Sequence, residues 1–171
     1  MRFLFEDFVR DTERRELRRE SAIALQPYNA HAFLELGLTL VYLDQPETAI
    51  PQIRKATRLG PYDSATPAAF SALAHGHLLV GDIEPSIAFA REARARKPGV
   101  YIPHMLLAAA LALHGDFDEA AAALPEGIRV RLQFNTLARL RAYTTWGNSH
   151  YRALREKAVD LGLLRAGMPD V

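Results

Sequence analysis

The side chains best suited to chemistry are six histidines, and their spacing decides their use. His75 and His77 stand two apart, so on a helix they point to different faces and cannot share a metal. His77 and His104 fall on core-type positions with no cysteine to join them, since the chain contains none. His31, His114 and His150 read as helix-start or loop residues. This scatter predicts neither a metal centre nor any other cofactor. Asp116, Asp118 and Glu119 gather three carboxylates, but at the start of a helix, where acidic groups complement the positive helix end. Capping is their expected use rather than catalysis. No Gly-rich phosphate loop of either common type is present, and thiolate chemistry and disulfides are excluded. Arg14, Arg15, Arg18 and Arg19 form a basic stripe, yet Glu13, Glu16 and Glu20 interleave with it at helical pairing distance. With a net charge of +1, no strong pull toward nucleic acid or a membrane surface is implied. The chain is expected not to be an enzyme.

The elements that carry these residues recur. Phe33, Leu36, Gly37 and Leu40 are followed by Ala49, Ile53, Ala56 and Pro61. A second set runs Phe70, Leu73, Ala74 and His77, then Ser86, Ala90, Ala93 and Pro98, with Gly81-Asp82 between the halves. A third runs His104, Leu107, Ala108 and Leu111, then Ala120 and Leu124, with Gly115-Asp116-Phe117 at the turn. Small residues at two fixed places let antiparallel helices approach closely. Large apolar residues fill the space between them, and proline stops the second helix.

This spacing resembles the tetratricopeptide (TPR) pattern, a 34-residue helix–turn–helix unit. The implied fold is an all-α, right-handed superhelical solenoid forming one domain over residues 1–171. The units cover about 30–63, 67–100 and 101–127, with an N-terminal cap over 1–27 and C-terminal helices over 128–171. Pro125 and Gly127 are expected to break the third unit. A repeat array has no single core and usually no catalytic pocket.

Both ends depart from the repeat. Glu13 to Leu25 reads as a lone second helix, with Ala22 and Pro27 at the late positions of an earlier unit. Ahead of it, Phe3, Leu4, Phe5, Phe8 and Val9 form an apolar cluster. It either caps the open end of the solenoid or pairs with a second chain as a homodimer. Toward the other end, Ile128 to Tyr143 reads as a basic amphipathic helix. Thr144 to Ser149 is a break that holds Trp146, expected as a packing plug. Tyr151 to Arg165 reads as a final helix with Leu154, Ala158, Leu161 and Leu164 as its apolar face, ended by Gly167 and Pro169.

That ending carries a narrower resemblance. Leu137-Ala138-Arg139-Leu140-Arg141, followed by Leu161-Gly162-Leu163-Leu164-Arg165-Ala166-Gly167-Met168-Pro169, is similar to tails of TPR-like regions in bacterial signalling proteins. Those regions are linked to class III adenylate/guanylate cyclase or winged-helix domains. The resemblance implies a regulatory, bacterial setting. The paired metal-binding aspartates of such a cyclase are absent from this chain, so its chemistry is carried onto no residue here.

The remaining candidate is the concave face of the array, lined by fixed first-helix positions. These are His31, Leu34, Leu38, Val41 and Tyr42, then Ser71, His75, Leu78 and Leu79, then Met105, Ala109 and Leu113. The face is apolar and lacks the Lys, Asn and Arg clamp of the chaperone-binding TPR domains that the array otherwise resembles. It suits an amphipathic helix or extended apolar peptide, unless the chain's own C-terminal helices fill it. The expected function is therefore a non-catalytic protein-interaction scaffold with a protein or peptide partner. The rival reading is a small-molecule sensor or enzyme built on His31, Tyr42 and His75. The longest apolar run, Met105 to Leu113, is far short of the ~20 residues of a membrane span. Glu6 and Asp7 stand where a signal peptide needs apolar residues. A cytoplasmic location is expected.

Overall fold

The computed structural model describes residues 29–61 and 64–171. The aromatic cluster Phe3, Leu4, Phe5, Phe8 and Val9, the lone helix before Pro27 and the Arg14–Arg19 stripe lie outside the described residues. Six helices form three antiparallel pairs: α1 (Ala30–Tyr42) with α2 (Pro46–Leu59), α3 (Thr66–Val80) with α4 (Ile83–Arg96), and α5 (Tyr101–His114) with α6 (Phe117–Val130). Asn29 caps α1 by accepting from the Ala32 amide at 3.2 Å. Gly81 and Gly115 end α3 and α5 with φ of 84° and 103°, a left-handed geometry that glycine adopts without a Cβ penalty.

The small residues act where the spacing placed them. At Gly37 an added Cβ would run into Cγ1 of the fully buried Ile53 on the paired helix. In the second pair, Ser86 donates its hydroxyl to the Ala74 carbonyl at 2.8 Å, joining the two close-approach positions directly. Ala49, Ala74, Ala108 and Ala120 are completely buried at the corresponding places. Leu73, Leu78, Leu107 and Leu111 fill the space between the layers.

Two expectations about the C-terminal third are corrected. Pro125 and Gly127 do not end the third pair, because α6 continues through both to Val130. Pro125 lies on the exposed face. Ala120, Ala123, Leu124 and Gly127 anchor the opposite face, Gly127 against His104 and Met105. Tertiary packing therefore outweighs the local penalty of the proline. Nor is 128–143 one helix. A 3-10 turn, Leu132–Phe134, buries Phe134 between Tyr101 and Tyr143, at ring distances of 4.8 and 4.9 Å. A new helix α7 (Leu137–Tyr143) then starts on Thr136, whose hydroxyl accepts from the Arg139 amide.

The last helix runs as α8 (Ser149–Arg155), a π-helical turn (Glu156–Asp160) and α9 (Leu161–Arg165), with Asn148 as its N-cap. Its inward face also differs from the expected one. Tyr151, Arg155, Val159 and Leu163 point inward with Ala158, whereas Leu161 and Leu164 are 38% and 39% exposed. An apolar count passes over this face because it contains Arg155 and Gly162. The start of the helix is tied to α1 through Asn148, whose amide groups donate to the carbonyls of Tyr42 and Leu43 at 3.3 and 3.2 Å. The π turn packs on α3 and α5, and α9 on α5. The segment thus crosses the face formed by the three first helices. Leu137 and Ala138 donate their amides to the carbonyls of Pro169 and Asp170, returning the tail to the start of α7. Among the described residues no helix is long and apolar enough to cross a membrane.

Candidate functional site

The C-terminal segment divides the expected concave face. Val41, Leu78, Leu79 and Ala109 are buried in the core, and Leu38 and Leu113 are partly buried against it. His31 and Leu34 face a small crevice beside Ala56 and Thr66, while Ser71 borders a separate cleft with Pro67 and Lys97. Tyr42, His75 and Met105 alone of that set meet in one cavity, of about 90 Å³, with Ile102 on its lining. The trio His31, Tyr42 and His75 is not assembled. His31 begins α1 and Tyr42 ends it, about 16 Å apart along the axis.

Tyr101 and Leu106 of α5 complete the repeat side of this cavity, and its other walls come from beyond the repeats: Leu140 and Thr144, Trp146 in the break, then Tyr151, Arg155 and Val159 on the last helix. Tyr42 is the hub of an edge-to-face aromatic group. Its ring centroid lies 5.3 Å from Tyr151 and 6.4 Å from both Trp146 and His75. The Tyr151 hydroxyl lies 3.5 Å from Nε2 of His75. Ile102, 42% exposed, stands at the mouth.

Burial sets the charge state of these groups. It holds the Tyr42 and Tyr151 phenols above their ordinary value. It lowers His75 to about 4, with the positive charge of Arg155 acting in the same direction. At neutral pH the cavity therefore presents a neutral imidazole, neutral phenols and one full charge, the Arg155 guanidinium.

A pH dependence follows. The folded chain resists protonating His75, whereas the unfolded chain accepts the proton near pH 6.5. The stability that His75 contributes is complete above about pH 6.5 and is lost as the pH falls toward 4. Between pH 7 and pH 5 this amounts to about 2 kcal/mol. Tyr42, Tyr151 and Arg155 surround the imidazole, so no facing carboxylate offsets the loss. Urea titrations at the two pH values should show a smaller acid loss for His75→Gln than for the wild type. An equal loss in both would remove His75 as the cause.

Arg155 is held by the π turn. Its Nη2 lies 3.1 Å from Oδ1 of Asp160, five residues on, a separation that the wider π turn brings together. Asp160 is 1% exposed, and its other oxygen accepts from Nε of Arg141 on α7 at 2.8 Å. Arg141 also reaches Asp170 at 3.1 Å. The angle between Arg155 and Asp160 is poor, so neither Nη2 nor Oδ1 makes a hydrogen bond. The second amino group of Arg155 has one long bond, 3.4 Å, to the Thr144 carbonyl.

The remaining polar candidates have structural partners. His77 lies between Asp82 and Arg54, and His104 bonds the Pro98 carbonyl. Asp116 stands at the N-cap of α6, but its carboxylate bonds His114 instead of capping, and Glu119 pairs with Arg91. Among the described residues no three His, Asp or Glu side chains are grouped to hold a metal.

No protein-family model matches the chain, and no curated protein matches it. Solved structures do. YrrB, described as a TPR protein with an unusual peptide-binding site, is 18% identical with a TM-score of 0.62, over 92% of this chain and 84% of its own. The MamA protein is 19% identical with a TM-score of 0.66, over 96% of this chain and 88% of its own. At these identities the likeness establishes the fold: an all-α solenoid of the TPR type.

Proposed function

We propose that the chain is a non-catalytic interaction module that binds an apolar helix or peptide across its first helices. The observation that carries this reading is the aromatic cavity that the C-terminal segment leaves open between α1, α3 and α5, with Ile102 at its mouth. The concave face of a solenoid is where an extended partner docks, this part of it stays open beside the C-terminal segment, and YrrB lends support as a neighbour described by its peptide-binding site. The partner's anchor residue enters beside Tyr42, His75 and Met105, and the rest of it lies over Ile102. The cyclase-linked likeness of the C-terminal ending supports a regulatory role in bacterial signalling, in the cytoplasm.

The test is a peptide-display selection against the wild type, followed by titration of the selected peptides. Trp146, the only tryptophan of the chain, reports occupancy by its fluorescence. Apolar peptides should bind saturably and lose at least tenfold in affinity to Ile102→Arg, an exposed substitution that leaves the melting temperature unchanged. Failure to select any peptide, or full binding by Ile102→Arg, would sink this reading.

A further inference from the structure

The geometry points to a binding site, in the cavity beside Arg155, for a small carboxylate with an aromatic or branched apolar body. This goes beyond a protein-docking role and stands without it. Arg155 is a full charge at 7% exposure in the wall of a cavity that otherwise offers rings and aliphatic groups. A guanidinium carries five donors in a planar fork that matches a carboxylate. Here one amino group has a single long bond and the other none that meets hydrogen-bond geometry. Asp160 answers its charge at 3.1 Å but not its hydrogen-bonding capacity, since Oδ1 makes no hydrogen bond and Oδ2 accepts from Arg141. A buried donor without an acceptor is costly, and a ligand carboxylate would supply one.

The rest of the cavity suits the other end of such a molecule. Tyr42, Trp146 and Tyr151 present ring edges and faces for an apolar body, and Met105 lies alongside. The volume, about 90 Å³, is below the ~150 Å³ of an enclosed cavity that takes benzene. Part of the ligand therefore rests in the open mouth by Ile102. Neutral His75 and the three phenols, Tyr42, Tyr101 and Tyr151, add hydrogen-bonding groups without a negative charge that would repel the acid. The carboxylate could belong to a free acid or to the C-terminal residue of a peptide, since both present the same chemistry.

Phenylacetate and phenylacetamide are the probes, titrated into the full chain with Trp146 fluorescence and melting temperature as readouts. Phenylacetate should saturate at millimolar concentration and raise the melting temperature, and the uncharged amide should bind at least tenfold more weakly. In the paired variant R155Q/D160N, which removes both charges together, the preference for the acid should disappear. Ile102→Glu changes only an exposed position. It should weaken the acid severalfold more than the amide, because both lose an apolar contact and only the acid meets a like charge, which keeps the test decisive where the buried variant does not fold. No saturation by phenylacetate, equal binding of acid and amide, or an unchanged preference in Ile102→Glu overturns the site. Ala-Ala-Phe with a free carboxylate separates the two sources. Tighter binding than phenylacetate assigns the site to a peptide C-terminus, weaker binding to a free acid, and either upholds the carboxylate chemistry.

Discussion

Asp160→Asn is expected to lower the unfolding free energy by about 3–5 kcal/mol, the range for breaking a buried ion pair from one side. The carboxylate is 1% exposed and faces Arg155 at 3.1 Å and Arg141 at 2.8 Å. Asparagine preserves the shape but leaves the Arg155 charge buried with no counter-charge. Arg141 suffers less, because it is 41% exposed and keeps Asp170. Removing both charges at once differs in kind. Arg155→Met with Asp160→Leu should recover most of the loss, since well-packed apolar pairs replace buried ion pairs with little cost. Urea midpoints of the wild type, the single and the double variant measure this directly. A single variant within about 0.5 kcal/mol of the wild type, as ordinary surface substitutions are, would show that the pair does not hold the last helix.

Gly162→Val should cost about 3 kcal/mol, at the upper end of overpacking effects. Even the first added carbon would lie 2.5 Å from the Ala109 carbonyl oxygen and 2.8 Å from its Cα. These obstacles are backbone atoms of α5, so no side-chain rotation relieves them, and Ala109→Gly should not rescue the variant. The helix itself must move. Hydrogen exchange should report lost protection over 149–165 together with α1, to which Asn148 ties that segment, and Trp146 emission should shift to the red. Unchanged protection in 149–165 would mean that α9 does not rest on Ala109 in solution.

The repeats were legible because their rule is strict. Gly37, Ala74 and Ala108 mark the places where backbones approach, and Gly81 and Gly115 mark the turns. Each is a residue type that geometry demands. The cavity was legible only in part. Tyr42, His75 and Met105 follow from repeat register, since first-helix positions face inward in a solenoid. Trp146, Tyr151 and Arg155 come from a segment without a repeat, where register gives no guidance. There the apolar count favoured Leu154, Ala158, Leu161 and Leu164; Ala158 is buried and Leu154 partly so, but in place of Leu161 and Leu164 the inward face contains an arginine and a glycine. Arg155 is buried because Asp160 neutralises it five residues later, a spacing outside the i, i+4 rule that a π turn alone makes close. Gly162 is buried because it has no side chain to obstruct Ala109. A pattern scan that rewards hydrophobicity overlooks both. Pro125 does not break α6 for a related reason: burial of Ala123, Leu124 and Gly127 on the opposite face outweighs the local propensity of the proline.

Asn148 changes how the array should come apart. In an open solenoid each unit touches only its neighbours, so end units can fray one after another. Here the hydrogen bonds from residue 148 to Tyr42 and Leu43 connect positions 106 and 105 residues apart along the chain. The last helix thereby touches the first pair as well as the third, and the linear stack becomes a closed circuit. Melting either end unzips a contact at the other. Loss of structure in α1 and in 149–165 should then coincide, and the described array should unfold as one cooperative unit.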